Sequence, residues 1–394
     1  MSARDLVTAL VLSWILAICT GYKIAGYLGY ITGAFDRVFK DYLLAKLQAA
    51  GIGSTYLNFL DSYLQPRIAQ VVVEGVASEE FTIENQVFQG TILGPPLWNT
   101  FFSDVVHSAA STGGEPSMFA DDLSVFQKFD KSESNEELSR VMHVCRARVH
   151  KWGKVNRVAF DPGKEHVVVI HPISGFGDPF KFLGCLFDCK LIMDHAIDKI
   201  LTQARPKITA ILRTRSHYSK KDLISQFKTH IWGIMETQNG AIFHSAEYLL
   251  EKLDSAQRRF LHELDLDEAT AFMEFNFAPP SLRRDIGILG LLQKRVLGKA
   301  HPVFQKLLPF YADVFGNLRP GDHDRQLYGH NLDIKFQCVL YSRSIFGMVH
   351  VYNHLPQNVV NEKTVSGFQK LLTLTVRQIC QEGIQDWKKC FSCH

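Results

Sequence analysis

The chain has 394 residues, 46% hydrophobic and 11% aromatic, which excludes a disordered tail or a small stapled domain and is enough for two or three packed domains. A formal net charge of +3 is too small to mark a nucleic-acid binder by bulk charge, so any phosphate-facing surface must come from local clustering. The eight cysteines, at positions 19, 145, 185, 189, 338, 380, 390 and 393, lack the even framework of a secreted disulfide-rich fold and read as reduced thiols in an intracellular compartment.

Between residues 6 and 22 there is no charged side chain, and the apolar run over 10–18 has the length of a leader's hydrophobic region or a marginal membrane span. Arg4 supplies a positive flank that Asp5 cancels. A buried core helix and a misplaced gene start are the other readings, and residues 1–29 are set apart as a hydrophobic N-terminal segment with membrane contact through 6–22.

From Gly33 the periodicity becomes that of a globular domain. Tyr42, Leu43, Leu44 and Leu47 fall at helical spacing, and Gly51 closes that helix. A second helix is predicted over 56–64, ending ahead of Pro66, then a strand over 68–73 that stops at Gly75 and pairs with a strand over 81–88. The segment Gln89-Gly90-Thr91-Ile92-Leu93-Gly94-Pro95-Pro96 is a polar loop feeding an amphipathic helix over 97–107. Its glycines permit close backbone approach by a ligand, and prolines at a helix start sacrifice no needed donor.

Over 117–126, apolar residues on both sides of Asp121-Asp122 predict two short strands meeting at a tight turn with the acids at its tip. Adjacent carboxylates repel, so a divalent cation or a basic partner is one explanation for the pair, and ordinary turn chemistry is the other. A helix follows over 136–154 with apolar positions Leu138, Val141, Met142, Val144, Cys145, Val149 and Trp152. Asp161-Pro162-Gly163 signals a turn ahead of Lys164 and a strand over 167–170. Phe180 to Phe187 reads as two short strands around Gly184, and Cys185 with Cys189 has a metal-ligand spacing but no third ligand nearby.

After Asp194 the chain turns helical and locally basic, with Lys199, Arg205, Lys207, Arg213, Arg215, Lys220, Lys221 and Lys228 against only Asp198 and Asp222. That contrast suggests a surface facing phosphates, a solvated helix face being the alternative. Further helices run to 298, and 299–394 carries apolar periodicity with no assignable role beyond a terminal Cys390-x-x-Cys393-His394 pattern that could hold zinc.

The segment 89–95 followed by Phe119-Ala120-Asp121-Asp122, with Gly33-Ala34-Phe35-Asp36-Arg37-Val38 ahead of both, resembles motifs B, C and A of the reverse transcriptase domain of non-LTR retrotransposons. The resemblance implies an α+β fold: a palm over 30–190, in which helices back an antiparallel sheet, a mainly helical basic thumb over 191–298 and a helical C-terminal region. It implies RNA-directed DNA synthesis by two-metal nucleotidyl transfer on a template-primer with deoxynucleotides, in the nucleus or cytoplasm. Magnesium or manganese would sit on Asp121 and Asp122. Phe35 would screen the sugar 2′ hydroxyl, Gln89 and Gly90 would line the nucleotide, Lys164 would protonate the leaving pyrophosphate, and Phe182, Leu183 and Gly184 would grip the primer. Arg205, Lys207, Arg213, Arg215, Lys220 and Lys221 would track the duplex.

The family places its motif A aspartate five residues before Phe35, where this sequence has Tyr30, and no acid occurs between Asp5 and Asp36. The family's fingers motifs belong ahead of that point, where the hydrophobic segment stands, so the resemblance reads as an N-terminally truncated domain. Three functional readings follow: a polymerase impaired at motif A, an inactive remnant that binds nucleic acid, or a membrane-anchored protein of unrelated function.

Overall fold

The computed structural model describes residues 2–316, 323–330, 332 and 339–393. It divides into two compact units, Lys23–Asp178 and Met1–Tyr22 together with Pro179–His394.

The chain opens with helix α1 (Ala3–Cys19) and passes into strand β1 (Tyr22–Tyr30). Seven consecutive residues of β1 are buried, the pattern of a strand covered on both faces. Gly26 is required there: a Cβ would stand 2.5 Å from the Phe126 ring. After β1 come helices α2 (Lys40–Ala49) and α3 (Ser54–Tyr63), then the short strands β2 (Arg67–Ala69), β3 (Val72–Val73), β4 (Val76–Ala77) and β5 (Phe81–Ile83). The expected pairing of 68–73 with 81–88 holds only in part. β2 pairs with β5, β3 folds back on β4, and residues 84–88 are not strand. Ile68, Val72, Val73 and Val76 are exposed, so burial on one face does not sustain a longer ladder here.

Helices α4 (Gly94–Phe102) and α5 (Val105–Ala110) replace the single helix expected over 97–107, with Pro95 and Pro96 in the first turn as anticipated. Then follow β6 (Glu115–Phe119), β7 (Asp122–Asp130), the 22-residue helix α6 (Asn135–Asn156) and β8 (His166–Ile170). The sheet order is β6-β7-β1-β8, with β6 antiparallel to β7 and β1 antiparallel to β8. Trp98, Phe101 and Phe102 from α4 and Leu138, Met142, Cys145 and Val149 from α6 share one core with Tyr27, Val125 and Val169 of the sheet. The class is therefore α+β, with an antiparallel sheet.

In the other unit the hairpin β9 (Phe180–Phe182) and β10 (Cys185–Phe187) precedes helices α7 (Asp194–Arg213) and α8 (Lys220–Phe227). Later helices include Glu247–His262, Pro280–Val296 and Val365–Gln381, the last two packed on each other. α1 is a core helix of this unit. A capping box between Ser2 and Asp5 starts it, Leu12 and Ile15 are 1% exposed, and the Trp14 ring meets the edge of Phe187 at 5.5 Å. Among the described residues no helix is long and apolar enough to cross a membrane, which corrects the expected span over 6–22. Part of that stretch is α1, and the rest of the hydrophobic segment is β1.

Candidate active site

Phe119 pairs with Asp122 at the end of the β6–β7 ladder, which leaves Ala120-Asp121 as a two-residue loop. Such loops call for left-handed backbone. Ala120 takes it at φ +55°, where a Cβ costs about 1–2 kcal/mol. Two outside contacts hold the turn: the Trp98 indole N–H donates to the Ala120 carbonyl at 2.9 Å, and the Ile31 amide donates to the Asp121 carbonyl at 3.4 Å. Trp98 is itself buried and stacked on Phe35 and Phe102. A helix and the end of a neighbouring strand thus fix the tip that carries Asp121.

Tyr30 ends β1 beside this turn, and its phenol faces the Asp121 carboxylate. Interaction with that carboxylate, then burial, then the negative charges of Asp121, Asp122 and Asp161 push the phenol's pKa above its ordinary value. The Asp161 amide donates to the Tyr30 carbonyl at 2.9 Å, so the turn before β8 closes on the same strand end. Lys164, from that turn, places its ammonium 3.9 Å from the centroid of the Tyr30 ring and 3.5 Å from the Asp161 carboxylate. The structure therefore brings Asp121, Asp122 and Lys164 together, with Tyr30 at their centre.

This set does not fit a pair of divalent cations. Magnesium demands near-octahedral oxygen ligands at about 2.0–2.1 Å. The phenol that meets Asp121 is protonated at neutral pH and offers a proton where a cation would need a lone pair. No group of three or more His, Cys, Asp or Glu among the described residues could hold a metal ion. For Cys185 and Cys189, both buried, and for Cys390 and Cys393, that removes the metal reading within the described residues. His394 and Cys338 lie outside them.

The other expected site residues are placed as follows. Phe35 is half-buried against Trp98, and its carbonyl accepts from the Val87 amide at 2.9 Å. Gln89 and Gly90 are exposed on the loop before α4, Gly90 at φ +78°, and Thr91 ties that loop to the helix start through Phe88 and Gly94. Phe182, Leu183 and Gly184 form the β9–β10 hairpin, whose turn residues Leu183 and Gly184 have φ of +46° and +85°. They belong to the other unit, as do the six cations, all exposed. Arg205 and Lys207 are two residues apart on α7, which separates them by roughly 200° around its axis, so the six do not form one stripe. Arg215 pairs with Glu263 at 4.0 Å, and Lys220 donates to the Asp265 carbonyl at 3.3 Å.

Sequence reasoning missed a second polar cluster in the sheet unit. Glu165, whose side chain is 3% exposed, accepts from the Tyr27 hydroxyl at 2.5 Å and Arg146 at 2.8 Å, and meets His150 at 2.7 Å. Burial and the Glu165 contact push the Tyr27 phenol well up. Four residues from three separated segments carry no local pattern, so the only available signal was the odd tyrosine in an apolar strand.

Residues 30–187 match the family model described as reverse transcriptase (RNA-dependent DNA polymerase). The chain is 25% identical over 278 residues to the RNA-directed DNA polymerase from mobile element jockey of Drosophila funebris, covering 65% of this chain and 29% of the relative. It is 25% identical over 280 residues to the probable RNA-directed DNA polymerase from transposon X-element of Drosophila melanogaster, covering 62% of this chain and 30% of that protein. The chain thus spans less than a third of the length of these relatives.

Proposed function

Residues 30–187 being a reverse transcriptase domain of the non-LTR retrotransposon kind, we propose that the sheet unit is that enzyme's palm with its two-metal site dismantled. The chain keeps a scaffold for nucleic acid, and its sheet unit has lost nucleotidyl transfer. The placement of the Tyr30 phenol against Asp121, with Lys164 over its ring, carries this reading. Reverse transcriptase domains generally use divalent metal ions, which draw charge from the transferring phosphoryl group and acidify the attacking hydroxyl. Here the strand position that should supply a second carboxylate supplies a proton donor instead. The donor satisfies Asp121 without a cation, and Lys164 and Asp161 close around it.

What this chain's residues still do is structural. Trp98 and Ile31 hold the turn in the geometry of a catalytic hairpin, and the exposed Arg205, Lys207, Arg213, Arg215, Lys220 and Lys221 support contact with a template-primer backbone. Purified protein given a labelled primer on an RNA template, deoxynucleotides and magnesium or manganese should not extend the primer. It should retain the template-primer with an affinity that falls steeply between about 50 and 200 mM salt. In the Tyr30→Asp variant, manganese binding followed by electron paramagnetic resonance should tighten at least about tenfold. Extension by the natural chain that disappears in Asp121→Asn would sink the proposal.

A further inference from the structure

The ribbon built from β2, β3, β4 and β5 stands in water on both faces. Ile68 is 70% exposed and Val72 65%, and Val71, Val73, Val76 and Phe81 are exposed as well. A two-stranded ribbon is marginally stable by itself, and apolar surface concentrated in this way marks a contact site. Neither edge of the ribbon has a neighbouring strand among the described residues.

The two edges are not alike. Ala69 pairs with Phe81 and Val72 with Ala77, so two residues on one strand stand against three on the other. The resulting bulge carries Glu79 and Glu80, and a bulge bearing charges protects an edge against further pairing. The opposite edge over 68–73, Ile-Ala-Gln-Val-Val-Val, has no charge and no proline, the composition that leaves an edge open to pairing. Its backbone is turned for the purpose. The Val71 carbonyl accepts from the Ser78 amide at 2.9 Å and the Val71 N–H donates to the Ser78 hydroxyl at 3.0 Å, so both groups point into the ribbon. Alternation then turns the N–H and C=O groups of Ile68, Gln70 and Val72 outward. No backbone bond from outside the ribbon meets them among the described residues.

The complement of this edge is the edge itself. In an antiparallel pair the residues with outward groups stand opposite one another. A two-fold axis through Gln70 sets Gln70 against Gln70 of the partner subunit and Ile68 against Val72 of the partner subunit, so all three outward residues are engaged. The same register lays Arg67 beside Glu74 of the partner subunit at both ends. Arg67 is stacked face-on over Phe88, its guanidinium 3.6 Å from the ring centroid, which leaves the N–H edge for a carboxylate. A parallel copy would instead bring like charges together at each end.

We propose that two copies of this chain associate through their 68–73 edges, antiparallel about a two-fold axis at Gln70, into one four-stranded ribbon. The pairing is isologous and closes at two copies, because the far edge of each ribbon is the bulged, acidic one. A ladder this short buries less than a standard interface, so the dimer is weak, with a Kd of about 10–100 μM. The ribbon lies within the matched residues 30–187, but the association uses neither the carboxylate turn nor the six cations of the palm reading.

Sedimentation velocity of the nuclease-treated full chain between about 1 and 200 μM tests the proposal. The natural chain should shift from monomer to dimer with no larger species. Gln70→Lys sets like charges across the axis and should leave the chain monomeric throughout, as should Gln70→Glu. An equimolar mixture of these two variants should dimerise at least as tightly as the natural chain. Gln70 is exposed, so both variants should keep the natural circular dichroism spectrum. Glu80→Gln on the other edge and Asp121→Asn in the carboxylate turn should dimerise like the natural chain. A natural chain that stays monomeric at the highest concentration, a dimer that survives Gln70→Lys, a mixture that remains monomeric, or assembly beyond two copies would each overturn the proposal.

Discussion

The Tyr30 phenol, set against Asp121 at the carboxylate turn, has a pH signature. In the unfolded chain the Tyr30 phenol releases its proton near pH 10, and in the fold it holds it to higher pH, chiefly because of its interaction with the Asp121 carboxylate. Above about pH 10 the folded state therefore binds the extra proton, and stability falls as pH rises. The contribution is complete below pH 10 and is lost as pH climbs through the folded value. Tyr30→Phe keeps the ring under Lys164 and removes only the donor, so it should lower stability by about 1 kcal/mol at pH 7 in urea unfolding. The gap between variant and natural protein should close as pH rises above about 10. Other raised tyrosines, Tyr27 among them, titrate alike in both proteins and cancel in the comparison. A gap of zero at pH 7, or one that does not change with pH, would remove the interaction with Asp121 from the account. Spacing to Phe35 singled out Tyr30 in the sequence. Its place beside Asp121 was not legible there, because the two meet only when β1 and β7 become neighbours.

Elements with a strong one-face pattern were read within a few residues, and those held by long-range polar contacts were not. α6 follows from Leu138, Met142, Cys145, Val149 and Trp152 at helical spacing, all buried on the sheet side of one core. The short strands between 67 and 83 have the same β-branched composition as a core strand but are exposed, so composition overstated their extent. Glu165 fastens α6 to the sheet through Tyr27 of β1 and Arg146 and His150 of α6. Glu165→Gln deletes the buried charge that all three partners address. Breaking a buried pair costs about 3–5 kcal/mol, and Arg146 and His150, each about a third exposed, regain some water. A loss of about 3 kcal/mol is expected, read from urea midpoints at constant slope. A loss under about 0.5 kcal/mol would mean the cluster does not clamp the helix.

At the scale of the whole chain, α1 and β1 follow each other in sequence and belong to different compact units. Hydropathy could not separate them, since a helix buried in a core and one crossing a bilayer both lack charge. Length separates the two cases: 17 residues at 1.5 Å each reach about 25 Å, short of the roughly 30 Å of a hydrocarbon layer. The consequence is a prediction about cooperativity. Leu12 is 1% exposed on α1, and a carboxylate there would have no partner in an apolar environment, which costs several kcal/mol or forces the helix out. Leu12→Asp should therefore loosen the unit containing residues 179–394. The sheet unit has a core in which α4, α6 and the sheet strands share buried side chains. Amide hydrogen exchange read by mass spectrometry should show protection falling across Pro280–Val296 and Val365–Gln381 while α6 and β8 stay protected. If protection collapsed equally in both units, the two would unfold as one body, and α1 would stabilise the whole molecule instead of one half of it.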